Sequence, residues 1–373
     1  MKRIFISIAL LIACQAGFAL DIVGSKESPP SIKLGSFVQF YNLGSNGSIK
    51  LNHQSYFRRA RFYLEGQLNH HWSYKAEYGA EKPGEIKNLW ISYKSKHNIL
   101  KMGQFKPAWN AIQNQSSRYL WFAERNLPTN AYSPGFRRTI SYSLLLSQWN
   151  LTATVFVPGT QTQSQIEGPW ASTQRVLYVP WHVPGEVLQL GLSNWYQEPS
   201  REKTLGYRSI PEASGFAPVN TINTSTIQNV NYSETLNAEA LYEYKRFAGI
   251  GTLTYNFTPR DHASNLQFSS WALELSYLLN DTVLDYNFDK GVFRSPNNKG
   301  RAWQLALRLS DANLNSHDIR GGRELDTTIA LNAYFVNHIK LGVNYIYANV
   351  SHSDVTSNGH ANIILTSFQV SFG

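Results

Sequence analysis

A chain of 373 residues and 42.3 kDa, with 42% hydrophobic and 13% aromatic residues and a mean hydropathy of -0.32, is too long for a mini-protein and too polar for a bundle of membrane-spanning helices. Only 16% of its residues are charged, against about 25% in ordinary soluble domains, while 21 Tyr, 19 Phe and 10 Trp are abundant. Something other than a charged surface therefore meets the surroundings, and the excess of 34 Lys and Arg over 25 Asp and Glu suits anions or an acidic membrane surface.

The first stretch reads as a secretory signal. Lys2 and Arg3 precede an apolar run from Ile4 to Ala13, and Gly17 and Ala19 flank Phe18, so cleavage is expected after Ala19. Residues 1–19 are then signal and 20–373 the mature domain. Leu11-Ile12-Ala13-Cys14 also resembles a lipobox, which would leave an acylated Cys14 as the first residue. In the favoured reading Cys14 leaves with the signal, and no disulfide or thiolate chemistry remains. Removing Lys2 and Arg3 lowers the formal charge from +9 to +7. Export makes nucleic acid the least fitting partner for that charge.

Beyond the signal no apolar run approaches the ~18 residues of a membrane helix. Segments of period-two alternation recur instead, near 33–42, 54–66, 71–79, 86–95, 98–105, 138–146, 148–157, 173–181, 187–197, 234–246, 248–258, 268–279, 300–310, 324–335, 338–348 and 361–372. These make sixteen strands, an even number as bacterial single-chain barrels require. Trp303, Leu305, Leu307 and Leu309 oppose Gln304, Ala306, Arg308 and Ser310, and most segments divide the same way. A soluble β-sandwich also alternates. Aromatic residues at strand ends, the scarcity of surface charge and the apolar alternation of Ile364, Phe368, Val370 and Phe372 near the terminus favour an all-β fold, a transmembrane antiparallel β-barrel. Short separations such as Ser147 and Asn337 read as periplasmic turns, and sixteen strands leave room for an aqueous channel.

Two interruptions stand out. The segment 106–138 carries Arg118, Arg125, Arg137 and Arg138 among Trp109, Tyr119, Trp121, Phe122 and Pro128, and is expected to fold into the lumen as a constriction loop. The segment 197–232 reads as an extracellular loop that dips toward the mouth. On the strand around 56–66, Ala60, Phe62 and Leu64 take the lipid side, and Arg59, Arg61, Tyr63 and Glu65 the lumen. Arg58 has lipid-side parity. A charge at the midplane of a barrel costs roughly 2–4 kcal/mol, so Arg58 is expected at the rim or where a bulge re-aims it. Lys75, Lys101, Lys245, Arg308 and Lys340 are further lumen cations, set against Glu65, Glu77, Glu239, Glu243, Glu274 and Asp326. Arginines on such a wall either lower the barrier for anions or brace the loop by ion pairing.

At these positions the chain resembles the phosphate-selective porin O and P family. The resemblance rests on Tyr56-Phe57-Arg58-Arg59-Ala60-Arg61, Trp72-Ser73-Tyr74-Lys75, Gly103-Gln104-Phe105-Lys106-Pro107, Ser116-Ser117-Arg118-Tyr119 and Glu124-Arg125-Asn126-Leu127-Pro128. Ala302-Trp303-Gln304-Leu305-Ala306-Leu307-Arg308, Gly321-Gly322-Arg323 and Leu341-Gly342-Val343-Asn344-Tyr345 extend it into the C-terminal half. It implies a sixteen-stranded outer-membrane barrel, usually trimeric, with an arginine-rich route for anions. Arg58 and Arg59 match the family's paired arginines, and Arg118 its basic constriction-loop position. The strand opening Glu85-Ile86-Lys87-Asn88 departs from the phosphate-selective pattern, as does the arginine-poor 197–232 segment.

The expected function is passive diffusion of anions, phosphate or polyphosphate foremost, by a homotrimer in outer-membrane lipid. Arg58, Arg59, Arg61, Lys75, Arg118, Arg125, Arg137 and Arg138 are the candidate anion-path residues. A general small-solute pore and an outer-membrane barrel hydrolase are the alternatives. No catalytic residues, cofactor or metal are assigned, since the ten histidines show no nucleophile motif and His70-His71 reads as a turn.

Overall fold

A computed structural model of the chain describes residues 20–23, 29–49, 51, 53–81, 84–158, 168–213, 220–297, 300–335 and 338–372. The expected signal 1–19, with Cys14, lies outside the described residues.

Sixteen strands form one ring: β1 (Ser31–Gly47), β2 (Gln54–Gln67), β3 (Trp72–Gly79), β4 (Glu85–Lys94), β5 (Asn98–Phe105), β6 (Arg137–Leu145), β7 (Trp149–Val157), β8 (Ala171–Val183), β9 (Glu186–Gln197), β10 (Ser233–Tyr244), β11 (Phe247–Thr258), β12 (Leu266–Leu278), β13 (Arg301–Ser316), β14 (Ile319–Phe335), β15 (Ile339–Ser353) and β16 (Gly359–Phe372). Each pairs antiparallel with the next, and β16 returns to β1 with Ser36 opposite Phe372 and Gly47 opposite Ala361. The sheet therefore closes and has no free edge. A four-residue piece, Leu20–Val23, pairs with the start of β1 outside this ring. All sixteen expected strands are present, most of them longer than their sequence pattern.

The alternation read from the sequence is the division between outside and inside. Along β13, Trp303, Leu305, Leu307 and Leu309 are exposed, whereas Ala302, Gln304, Ala306 and Arg308 are buried. Leu192, Leu253 and Phe62 are likewise among the most exposed apolar side chains, as a lipid-facing surface requires. Among the described residues no helix is long and apolar enough to cross a membrane.

The interior is partly filled by three inserts. Residues 106–136, after β5, hold two short helices, α1 (Ala111–Asn114) and α2 (Leu127–Ala131), and bond to inward-facing wall residues. The Ala111 N–H donates to Glu239 at 2.7 Å, the Ala123 N–H to Asn344 at 3.1 Å and the Leu127 N–H to Ser310 at 2.9 Å. Residues 198–232, after β9, go deeper than a mouth loop: Glu212 meets Arg308 and Thr328 inside the ring. The third insert, 279–300, enters from the end that carries the short turns and was not foreseen. It forms a small hairpin, Leu284–Asn287 with Val292–Pro296. Phe293 of this hairpin stacks on Trp121 at 5.8 Å and accepts a hydrogen bond from Gln115 at 3.1 Å, so inserts from both ends meet. Apolar clusters around Trp109, Trp195 and Tyr207, and around Trp121, Leu284 and Phe293, form the core inside the ring.

If Leu192 faces hydrocarbon, Leu192→Arg lowers the unfolding free energy in lipid by roughly 2–4 kcal/mol. Urea titration of the refolded protein in bilayers measures this, and an unchanged midpoint would place β9 the other way round.

Candidate functional site

Two bulges shape the wall formed by β1 to β5. On β2, Gln39 opposes Arg59 and Phe40 opposes Phe57, which leaves Arg58 as an extra residue. Phe57 stays outside, and both arginines turn inward, because a bulge bends its strand and re-aims the side chain. Arg58 and Arg59 each donate to the carboxylate of Glu124, at 3.1 and 3.2 Å. The bulge, and not a position at the rim, thus resolves the parity of Arg58. On β4, Glu77 opposes Asn88 and Tyr78 opposes Ile86, so Lys87 is extra and also turns inward. It pairs with Glu81 at 3.4 Å and with Glu85.

The insert after β5 adds its own cations. Asn110 caps α1 by accepting from the Gln113 N–H at 2.7 Å, and Asn126 caps α2 while donating to Glu274 at 3.0 Å. Between them Arg125 donates to the carbonyls of Ile112 and Gln115, at 3.0 and 2.8 Å. Arg118 donates to the Tyr63 hydroxyl at 3.2 Å. Lys106 lies 5.2 Å from the centre of the Phe136 ring.

Pairing divides the cations of this wall into two groups. Arg58, Arg59, Arg61, Lys75 and Lys87 are each within 4.0 Å of a carboxylate, Arg61 with Glu77 at 3.2 Å and Lys75 with Glu65 at 3.0 Å among them. Lys101, Lys106, Arg118, Arg125 and Lys290 have no carboxylate partner among the described residues, and each keeps part of its surface exposed. The opposite wall is sealed. There Arg308 is 1% exposed, clamped between Glu212 and Glu274 over the Phe122 ring, and Arg175 is buried against Glu239. One side of the lumen is packed, and the other is basic with its cations partly exposed.

Arg137 points inward and is 1% exposed; it donates to the Phe136 carbonyl, and its Nε and Nη2 have no partner among the described residues. Arg138 is a correction: it shares the outward face with Ile140 and Tyr142 and donates to the Pro158 carbonyl at 2.9 Å. The strand begins at Arg137, so its neighbour falls on the lipid side. Lys245 is a second correction, since it occupies the tight turn between β10 and β11 with φ of 53° and is exposed. Lys340 is inside but buried, donating to the Leu120 carbonyl at 2.6 Å. His70 and His71 fall in the turn before β3, where the His71 ring lies 2.9 Å from the Lys94 carbonyl.

Lys87, Lys290 and Glu212 were missed. A signal for Lys87 existed: the outward Ile86 and Leu89 are three residues apart instead of two, the same irregular step as Phe57 to Ala60. Electrostatics in the insert follow its surroundings. Burial pulls the Lys106 ammonium well below the ordinary lysine range, and Arg125, Arg61, Arg59 and Lys87 push the same way. Burial, then Arg59, lowers the Arg125 guanidinium to about 9. Burial works to raise the Glu124 carboxyl, but Arg58 and Arg59 outweigh it and hold it below the ordinary carboxylate range.

A carboxyl depressed in the folded state stabilises fully above its unfolded value, near ~4.3, and loses that contribution as pH falls through its folded value. Acidification through this window therefore lowers the unfolding midpoint of the wild type in detergent. Glu124→Gln lowers the midpoint at neutral pH and flattens that part of the profile; equal acid slopes in both proteins would show that Glu124 does not anchor the insert.

Comparison with known proteins agrees with this architecture. The fold matches the anion-selective porin from Comamonas acidovorans with a TM-score of 0.58 at 12% identity, over 92% of this chain and 99% of that one. It matches the outer membrane channel DcaP of Acinetobacter baumannii equally, at 0.58 and 12%, over 95% and 100% of the two chains. The trimer form of OmpT, an outer membrane protein of Vibrio cholerae, gives 0.54 at 9% identity over 91% and 99%. No curated protein matches the chain by sequence. The family model described as phosphate-selective porin O and P matches residues 32–372. That span takes in the whole ring but for the first residue of β1, and the chain belongs to the phosphate-selective porin O and P family of outer-membrane channels.

Proposed function

We propose that this protein is a passive porin through which small anions, phosphate among them, cross the bacterial outer membrane after export and removal of residues 1–19. It works as a homotrimer, with the short turns toward the periplasm and residues 106–136 narrowing the path. The observation that carries this reading is the unmatched positive charge on the open wall: Lys101, Lys106, Arg118, Arg125 and Lys290 have no carboxylate partner among the described residues. Fixed cations beside a low-dielectric constriction lower the entry barrier for anions and raise it for cations.

Arg58, Arg59 and Arg61 support a finer reading. Their planar guanidinium groups offer paired donors to phosphate oxygens, and each already holds a carboxylate that an arriving oxyanion can share or replace. Glu65, Glu77 and Glu81 on the same wall moderate the field, which keeps binding weak enough for release. A general small-solute pore draws on those same carboxylates. Family and fold favour a channel over a barrel hydrolase.

Reversal potentials across a potassium chloride gradient in planar bilayers test the proposal. Chloride is expected to be the more permeant ion, with the preference reduced in Arg118→Ala and Lys106→Ala. Potassium preference, or variants indistinguishable from wild type, would contradict it. Phosphate is expected to reduce the chloride current in the wild type, more so than in Arg59→Ala.

A further inference from the structure

The open wall is not only basic. Its cations rest on aromatic rings, and the two kinds of side chain alternate across β1 to β5. Arg118 lies over Phe37 of β1 at 5.2 Å and Tyr63 of β2 at 4.7 Å. Lys75 of β3 sits 4.0 Å from the other side of this row, over the same Tyr63 ring. Trp90 of β4 is the register partner of Lys75, and Lys101 of β5 lies 4.2 Å from Trp90 and 4.1 Å from Phe105. Gly103, between Lys101 and Phe105 with φ of 130°, lets β5 lie close to β4: a Cβ there would collide with the Leu89 carbonyl oxygen and meet the Trp90 Cα at 2.7 Å.

This order bears on what the wall can bind. A compact dianion such as inorganic phosphate is held by several donors converging on it. Along this band a ring separates each cation from the next, so one anionic group meets one cation and then an aromatic face. Lys101 and Arg118 have no carboxylate partner among the described residues, and the rings are their partners in place of one. A carboxylate that takes the cation exposes the ring, and a flat apolar body bonded to that carboxylate is the shape that covers it. Trp90, Lys75, Lys101 and Arg118 all keep part of their surface exposed, whereas Tyr63 and Phe105 are buried.

We propose that this band selects anions with a planar aromatic body, that is, aromatic monocarboxylates, over inorganic anions and aliphatic acids of the same charge. The proposal rests on the anion-porin reading and adds a substrate class to it. Arg118 and Lys101 each supply a one-point contact for the carboxylate, Trp90 supplies the partly exposed stacking surface, and the buried Tyr63 and Phe105 rings hold the cations in place.

Block of the chloride current in planar bilayers tests it, with benzoate, cyclohexanecarboxylate, acetate and phosphate as probes. Benzoate is expected to half-block at a concentration about tenfold below acetate, the scale set by one aromatic stacking contact with its buried area. Trp90→Leu and Phe105→Leu are each expected to narrow the ratio of benzoate to acetate. Trp90→Leu keeps the test decisive if Phe105→Leu fails to assemble. Equal block by benzoate and acetate, or by benzoate and cyclohexanecarboxylate, overturns the proposal, as does a ratio untouched by both variants. If chloride preference persists in that case, only the aromatic selectivity has failed. If chloride preference is itself missing, the underlying anion-porin reading has failed.

Discussion

Hydrocarbon offers no hydrogen bonds, so every backbone N–H and C=O that crosses the membrane must find its partner within the protein. With no long apolar helix among the described residues, a sheet closed on itself meets that demand. The pairing of β16 with β1 is the contact that completes it. Closure then assigns the side chains: alternate residues face lipid and must be apolar, and the remainder face an enclosed space. The scarcity of charge follows from the outer face, and the wealth of aromatic residues from that face together with the core inside the ring.

A ring of sixteen strands encloses more room than its own side chains can fill. Here three inserts take up one side, and ionisable groups are distributed accordingly. Where the inserts seal the wall, Arg308 and Arg175 are matched by carboxylates, since a buried unpaired charge is severely destabilising. Arg308 has a further role as a joint: it holds Glu212 of one insert and donates to the Glu124 carbonyl of another. On the other wall, Lys106, Arg118 and Arg125 do without carboxylates among the described residues and rest on a ring, a hydroxyl and carbonyls instead. In the proposed function, the asymmetry between a packed wall and a basic one is what makes the path selective.

The ring was legible in the sequence because alternation of period two is a direct image of lipid on one face. The lumen was less so. Arg59, Arg61 and Lys75 could be placed by parity, but parity fails wherever a bulge inserts a residue, and Arg58 and Lys87 both sit at such places. The steps of three from Phe57 to Ala60 and from Ile86 to Leu89 mark them only once the strand is known. Arg138 was misassigned because it was read with the 106–138 loop, although its parity with Ile140 and Tyr142 puts it on the outward face. The hairpin within 279–300 escaped because its two short strands bury against other inserts, not against lipid, and so carry no outward apolar row. Ion pairs such as Glu212 with Arg308, separated by 96 positions, leave no local trace.

The central claim is that the β1 to β5 side of the lumen is wet and positive while the opposite side is packed, and charge-selective labelling reads this most directly. In a background without Cys14, Lys101→Cys and Lys106→Cys should react with an anionic methanethiosulfonate faster than with its cationic counterpart, and the modification should alter the single-channel current. Ser310→Cys, on the packed wall, should stay unlabelled. Slow or charge-indifferent labelling at residues 101 and 106, or equal labelling at 310, would contradict the account.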